Sequence, residues 1–223
     1  MDQNQNKQLF SRPYELALVD DSRRNKKLSS RLLVRCEAAF LELMNKYGDD
    51  YIPTELRELT SAAHITRQTF YGNFMGINSL LYWSSKHLID GLDEYLSAKP
   101  LHNSLDTALF WTFKYLTISP AESEFCIRRF GDANFWATAL EPIAPLLKEP
   151  WQLYGDQVAT GLYRFFCAQF QEVLLLWLDD DLSITRVNTY IALLISLNKT
   201  AAPRLFQYFR TTATTTPSST LEV

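Results

Sequence analysis

The stretch from Thr54 to Phe74 constrains the fold more than any other, because its pattern fits two short helices joined by a tight turn. Its first half follows a helical apolar period, and Thr54 can cap that helix. His64 suits the turn, and Thr66 can cap the second helix, predicted at about residues 67–72. Two helices joined in this way form the helix-turn-helix shape, in which the second helix can lie in a DNA major groove.

The second of these helices is expected to expose a polar face. Phe70 and Phe74 lie four residues apart and are predicted to point inward together. The outward side chains are donors and acceptors of the kinds that contact base edges and phosphates. We expect Arg67 and Gln68 to contact bases. The expected contacts with phosphates or groove walls are Thr66, Thr69, Tyr71 and Asn73, with Thr54 as a further candidate at the start of the first helix.

The distribution of charge supports the same interpretation. The whole chain of 223 residues carries a net charge of −3, but residues 22–74 hold nine basic and six acidic residues, a net of +3. A helix is predicted from about Ser22 to Tyr47, and its first turns are basic. Cations there oppose the helix dipole. A polyanion bound nearby would explain these basic residues, and Arg24 and Lys27 would then be candidate DNA contacts. A basic patch that only faces solvent is an equally good alternative.

Residues 63–74, Ala-His-Ile-Thr-Arg-Gln-Thr-Phe-Tyr-Gly-Asn-Phe, resemble the DNA-binding signature of TetR/AcrR-type bacterial transcriptional regulators. The agreement lies, in register, at Thr66, Thr69, Phe70, Tyr71 and Phe74. The resemblance covers about residues 24–96 well and the rest in outline. It implies an all-helical homodimer, with a three-helix DNA-binding unit, a larger ligand-binding body and last long helices that pair across the two-fold axis.

The chain departs from the family pattern at two positions. His64 stands where the turn usually has glycine. Ile77 stands where the fourth helix usually begins with a lysine that contacts phosphate. Some members of the family act without binding DNA, so a ligand-sensing helical protein that acts through a protein partner is the alternative function.

The remainder of the chain also predicts helices, with no sustained period-two alternation. The fold class is therefore all-α: an arm at residues 1–21, the helix-turn-helix unit at 22–76, a helical ligand-binding and dimerisation body at 77–210, and a disordered tail at 211–223. Helices are expected at about residues 78–98, 104–118, 120–131, 132–140, 150–178 and 183–200. Ser119 and Glu122 fit a capping box, and Asp132 can cap the helix that follows.

Aromatic residues are frequent in the predicted body. They fill a helical core in the simplest interpretation, and as a set they also suit an apolar ligand site between helices. The candidate ligand-binding residues are Trp83, Trp111, Tyr115, Phe125, Arg129, Phe135, Trp136 and Tyr163.

The last two long helices are apolar over much of their circumference, so each is predicted to bury more than one face. A second subunit is a natural cover for the extra face, and full burial within one chain is the alternative. The candidate dimer-interface residues are Phe166, Phe170, Val173, Trp177, Tyr190, Leu194 and Leu197.

Other classes of function find little support in the sequence. There is no apolar run long enough to span a membrane, no amino-terminal signal peptide and no His/Cys spacing typical of a metal site. The three scattered cysteines are typical of free thiols in a reducing, cytoplasmic compartment. No nucleophile–base pair or phosphate-binding glycine loop indicates an enzyme or a cofactor. We expect a homodimeric DNA-binding regulator, a repressor in preference to an activator, that a small apolar or amphipathic ligand releases from a pseudo-palindromic operator.

Overall fold

A computed structural model describes residues 30–49, 51–53, 55–100 and 104–199, and all regular structure within them is helical. The predicted all-α class is therefore confirmed for this part of the chain. The α-helices are α1 (Ser30–Tyr47), α2 (Leu56–Ala62), α3 (Arg67–Tyr71), α4 (Ile77–Ser97), α5 (Leu105–Leu116), α6 (Pro120–Phe130), α7 (Ala133–Ala139), α8 (Ala144–Lys148), α9 (Asp156–Leu178) and α10 (residues 187–199). Short 3-10 helices lie at Glu141–Ile143, Glu149–Tyr154 and Ile184–Arg186.

Several expectations fall outside the described residues. These are the arm at 1–21, the tail at 211–223 and three of the candidate DNA contacts, Arg24, Lys27 and Thr54. None of the helices described is both long enough and apolar enough to cross a membrane.

Of the helix caps predicted at Ser119 and Asp132, the structure contains the one at Asp132 only. The Asp132 carboxylate accepts hydrogen bonds from the backbone N–H groups of Asn134 and Phe135 at 2.8 and 2.7 Å, so this cap is confirmed. The capping box at the start of α6 is wrong. Ser119 makes no capping hydrogen bond, and Glu122 is buried against α4, where it contacts His87. The contact with His87, 35 residues away in the chain, takes the place of the local backbone contact that a capping box would make.

Helix α9 begins later than predicted. The chain from 149 to 154 forms a 3-10 turn, and Gly155 follows with a φ of +96°. This left-handed conformation is one that glycine adopts at low cost, and it separates the turn from α9.

A continuous cluster of buried apolar side chains runs from α1 to α10. Helix α1 packs against α2, α4 and α6, and α9 packs most extensively against α7. Aromatic rings meet edge to face at the centre: Phe113 contacts Trp177, and Phe170 contacts Trp136, with ring centroids 4.8 and 5.1 Å apart. The amino-terminal helices and the later helices therefore share one core.

Candidate nucleic-acid interface

Helix α3 is a short helix whose local sequence fixes both its start and its orientation. The Thr66 hydroxyl accepts a hydrogen bond from the Thr69 backbone N–H at 3.0 Å, which confirms the predicted cap. Phe70 and Phe74 are fully buried, with ring centroids 5.0 Å apart. Because these two rings anchor one side of the helix, the other side is left to solvent.

The exposed side of α3 carries the residues that the sequence predicted for it. Arg67, Gln68 and Thr69 are exposed, and Tyr71 is 52% exposed. Thr66 is exposed too, and Asn73 is half-buried and donates to the Thr69 carbonyl at 2.8 Å. Asn73 therefore caps the end of α3. Its side-chain amide already donates within the helix, so it is less available for the predicted phosphate contact.

The turn between α2 and α3 has a defined hydrogen-bonding pattern. The backbone N–H of Ile65 donates to the Thr60 carbonyl, and that of His64 donates to the Ser61 carbonyl, both at 3.0 Å. His64 has a φ of +51°. This is the Schellman motif, in which the residue after the cap adopts the left-handed conformation. The geometry explains why glycine would suit the position that His64 occupies.

Arg35 on α1 holds this turn from outside. Its Nη2 donates to the carbonyl oxygens of Ala63 at 2.7 Å and His64 at 2.9 Å. These carbonyls lie at the end of α2, where backbone acceptors lack partners within the helix. Arg35 was not among the predicted site residues, because nothing local in the sequence connects it to a turn 28 residues away.

A second contact joins the end of α1 to α6. The Arg128 guanidinium contacts Asp49 through Nε at 2.9 Å and through Nη2, and its Nη1 lies 2.5 Å from the Asn45 amide oxygen and 2.8 Å from Glu124. Arg129 donates to the Asp49 backbone carbonyl at 3.4 Å. This arginine was predicted to bind a ligand, and the structure places it at the contact between α1 and α6.

A cavity of about 550 Å³ borders the Arg128 contact. Its walls include Asp49, Glu124, Arg128, Leu175, Leu178 and Leu182. The cavity therefore lies where α1, α6 and the end of α9 meet. None of the predicted ligand-binding residues lines it.

The predicted ligand-binding aromatics mostly belong to the core. Phe125, Phe135, Trp136 and Tyr163 are buried. The Trp136 indole N–H donates to the Gln171 side-chain oxygen at 2.6 Å. The other aromatics of the set, Trp83, Trp111 and Tyr115, are half-buried on α4 and α5.

The predicted dimer-interface set also needs correction. Its aromatic and aliphatic members on α9 are buried within one chain, and so is Leu194 on α10: the buried residues are Phe166, Phe170, Val173, Trp177 and Leu194. Tyr190 and Leu197 are half-buried. These five residues are at most 1% exposed and have almost no surface to offer a second subunit, so they belong to the core instead. The large apolar residues that are exposed on the same helices include Leu176 and Leu193.

The cysteines of the described chain match the expectation from sequence. Cys36, Cys126 and Cys167 are free and buried. Burial raises the pKa of the Cys36 and Cys167 thiols to about 12 and that of Cys126 well above its usual value. Within the described ranges, no group of three or more His, Cys, Asp or Glu side chains has an arrangement that could hold a metal ion.

No protein-family model matches this chain, and neither does any curated protein or solved structure with which it was compared. The resemblance of residues 63–74 to TetR/AcrR-type regulators therefore stays a prediction from the sequence.

Proposed function

We propose that this protein is a sequence-specific, DNA-binding transcriptional regulator of the TetR/AcrR type that acts as a homodimer. The observation that carries the proposal is the α2–turn–α3 unit. Its second helix is capped by Thr66 and anchored by two buried phenylalanines, and it exposes Arg67, Gln68 and Tyr71. A rigid helix that presents polar side chains to solvent is what major-groove recognition requires.

The roles of the exposed residues follow from their chemistry. An arginine can donate two hydrogen bonds to guanine, and a glutamine can pair with adenine. Arg67 and Gln68 are therefore the proposed base contacts. Thr66, Thr69 and Tyr71 carry hydroxyls that suit phosphate oxygens, which fix position without reading sequence.

A binding selection from random double-stranded DNA tests the proposal. We expect a pseudo-palindrome with half-sites about 34–36 Å apart or somewhat more. Arg67→Ala should weaken binding to the selected site by about 10- to 100-fold and relax the preference at one base position. Arg164→Ala, which removes an exposed arginine from α9, is the matched control and should leave binding unchanged. Selection of no sequence by folded protein would refute the proposal.

Dimerisation is proposed through the outer faces of α9 and α10. Leu176 is 52% exposed and Leu193 38%, and these two leucines lie on neighbouring helices: the Tyr190 hydroxyl on α10 lies 3.3 Å from the Leu176 carbonyl on α9. A second copy of the same two helices would cover both leucines in a four-helix bundle.

Light scattering coupled to size exclusion tests the dimer. Leu176→Glu with Leu193→Glu should convert a dimer to a monomer, because four buried carboxylates would meet at the two-fold axis. Ile118→Glu is the control, since Ile118 is 60% exposed on another part of the chain. A wild-type monomer at micromolar concentration would contradict this part of the proposal.

The proposed effector is a small apolar or amphipathic molecule. The cavity beside Arg128 supports this part of the proposal, because its volume lies in the range of small-molecule sites. It combines leucines with charged groups, among them Asp179 and Asp181, and Asp49 in its wall lies two residues after the end of α1. An occupant would therefore contact the link between α1 and α6. Effector binding should lower DNA affinity if it favours the state that cannot bind DNA.

Ile77 favours a second candidate function, a ligand-sensing protein that acts through a protein partner. This residue begins α4 and is half-buried against the core, so it offers no phosphate contact. Arg67→Ala combined with Tyr71→Phe separates the two candidates. Regulation in cells that survives both changes would favour the protein partner, and its loss would favour DNA contact.

A further inference from the structure

Glu37 on α1 is a buried carboxyl with no hydrogen-bond partner. The residue is 1% exposed, and both of its carboxyl oxygens are buried and unpaired. Buried polar groups in proteins are nearly always hydrogen-bonded, so an exception needs a physical reason. The burial of Glu37 could have been found in the sequence, because the helical period places Glu37 on the same face of α1 as the buried residues Leu33, Phe40 and Met44.

The neighbours of Glu37 come from the two helices on which α1 packs. Ser84 and His87 lie on α4, and Glu122 and Cys126 lie on α6. We call Glu37 and these four neighbours the Glu37 cluster. Glu122 is buried and lies 2.5 Å from Nδ1 of His87, whose side chain is half-exposed. The buried Ser84 hydroxyl lacks a hydrogen bond of good geometry, although it is close enough to favour the ionised form of Glu37.

We propose that the Glu37 cluster is a proton-dependent junction between α1 and the pair α4–α6, closed when Glu37 carries a proton and loosened when Glu37 is ionised. Ionisation would place a carboxylate charge near the Glu122 carboxyl, at a site where both residues are buried from solvent. Nδ1 of His87 already contacts the Glu122 carboxyl, and the cluster contains no lysine or arginine that could pair with Glu37. Separation of α1 from α4 and α6 would let water reach both carboxylates.

The junction should respond near neutral pH. The pKa of Glu37 is raised to about 7: burial is the largest cause, the nearby Glu122 carboxyl acts in the same direction, and Ser84 and His87 act against the shift. Cys126 stays a neutral thiol over this range because burial raises its pKa well above the usual value. On α1 itself, the buried Cys36 thiol also stays neutral, since its pKa is raised to about 12. Glu37 is therefore a member of the cluster whose charge changes near neutral pH.

Loosening of α1 has a structural consequence for the α2–α3 turn. Arg35, two residues before Glu37, holds the Ala63 and His64 carbonyls. A movement of α1 away from α4 and α6 would therefore move the exposed face of α3 relative to the later helices. Any effect on DNA rests on the proposed function, so the tests of the junction use protein without DNA.

The first test is the titration of Glu37. Glutamate labelled with carbon-13 at Cδ reports each carboxyl by NMR, and we expect one resonance with a midpoint near pH 7 that is missing from Glu37→Gln. Glu122→Gln should shift that midpoint downward, because it removes the neighbouring charge. The proposal is overturned if all glutamate resonances titrate at ordinary values of about 4.3.

The second test is amide hydrogen exchange in α1, corrected for the intrinsic effect of pH. Protection of α1 should fall about tenfold or more between about pH 6 and about pH 8 in the wild type. Glu122→Gln should reduce this loss, and Glu37→Gln should abolish it. Glu42→Gln, a change at an exposed glutamate on the same helix, should behave as the wild type. Equal loss of protection in wild type, Glu122→Gln and Glu37→Gln would overturn the proposal. The result of this test does not depend on whether the protein binds DNA.

Discussion

Nη2 of Arg35 lies 2.7 Å from the carbonyl oxygen of Ala63, so that the middle of α1 is bonded to the end of α2. Arg35 thus holds the turn before α3 through the turn's backbone carbonyls, and no side chain of the turn takes part in this contact. The orientation of the exposed face of α3 thus depends on a residue of another helix.

Arg35→Met should keep the apolar stem and remove the hydrogen bonds to the turn. We expect a loss of about 1–2 kcal/mol in the free energy of unfolding, because two carbonyls lose a charged donor at a partly exposed site. Amide exchange at Ile65 and Thr66 should also increase. Arg31→Met, a change at an exposed arginine one turn earlier, is the matched control. Equal effects from both changes in a urea titration would contradict the role given to Arg35.

Substitutions at His64 should follow the cost of a left-handed backbone. The φ of +51° penalises most side chains and spares glycine. His64→Gly should match the wild type or exceed its stability by up to about 1 kcal/mol, and the β-branched residue in His64→Val should cost about 1–2 kcal/mol. Thermal unfolding of the three proteins measures the order. A valine variant as stable as the glycine variant would show that the turn does not constrain this residue.

Gly131 and Gly161 form a matched pair for one substitution. A Cβ at Gly131 would lie about 2.1 Å from the Gln171 side-chain oxygen, whereas a Cβ at Gly161 meets no atom within 4 Å. Gly131→Ala should therefore displace Gln171 from Trp136 and cost about 2 kcal/mol or more. Gly161→Ala, inside α9, should stabilise by about 0.5–1 kcal/mol. Denaturant unfolding measures both, and similar effects at the two sites would contradict the packing described around Gln171.

The Arg128–Asp49 pair should contribute a small, salt-sensitive coupling between α1 and α6. Asp49 is largely exposed, so solvent screens the charge. A double-mutant cycle with Arg128→Met and Asp49→Asn should give a coupling energy of about 0.5–1 kcal/mol. High salt should reduce it. A cycle with Arg128→Met and Glu42→Gln is the control and should show no coupling.

The stability of the protein should fall as pH rises through the range in which Glu37 ionises. The pKa of this carboxyl is about 7 in the folded protein and about 4.5 in its usual range, so the folded state binds more protons between these values. The free energy of unfolding should therefore decrease from about pH 4.5 to about pH 7 and then level, by a few kcal/mol in all. Glu37→Gln should lack this slope and be more stable than the wild type at about pH 8. Parallel pH profiles for the two proteins would show that Glu37 has an ordinary pKa.

Local sequence signals predicted the parts of this structure that depend on neighbours in the chain. The 3.6-residue period located the helices, and the caps by Thr66 and Asp132 were confirmed because each bond spans no more than three residues. The capping box at Ser119 was wrong because a distant histidine competes for Glu122. The start of α9 was misplaced because a single glycine conformation interrupts an otherwise continuous helical pattern.

The sequence by itself determined that the described chain is helical, and it determined which side of α3 is apolar and which is polar. The tertiary structure decided which broad apolar faces are covered within one chain: it buries Phe166 and Phe170 and leaves Leu176 exposed. It also brought Arg35 to the turn before α3, and Glu37 to Glu122. The physical reason is that hydrophobic period and capping act over one or two turns of helix. Burial, ion pairing and the pKa of a carboxyl depend on helices far apart in the chain.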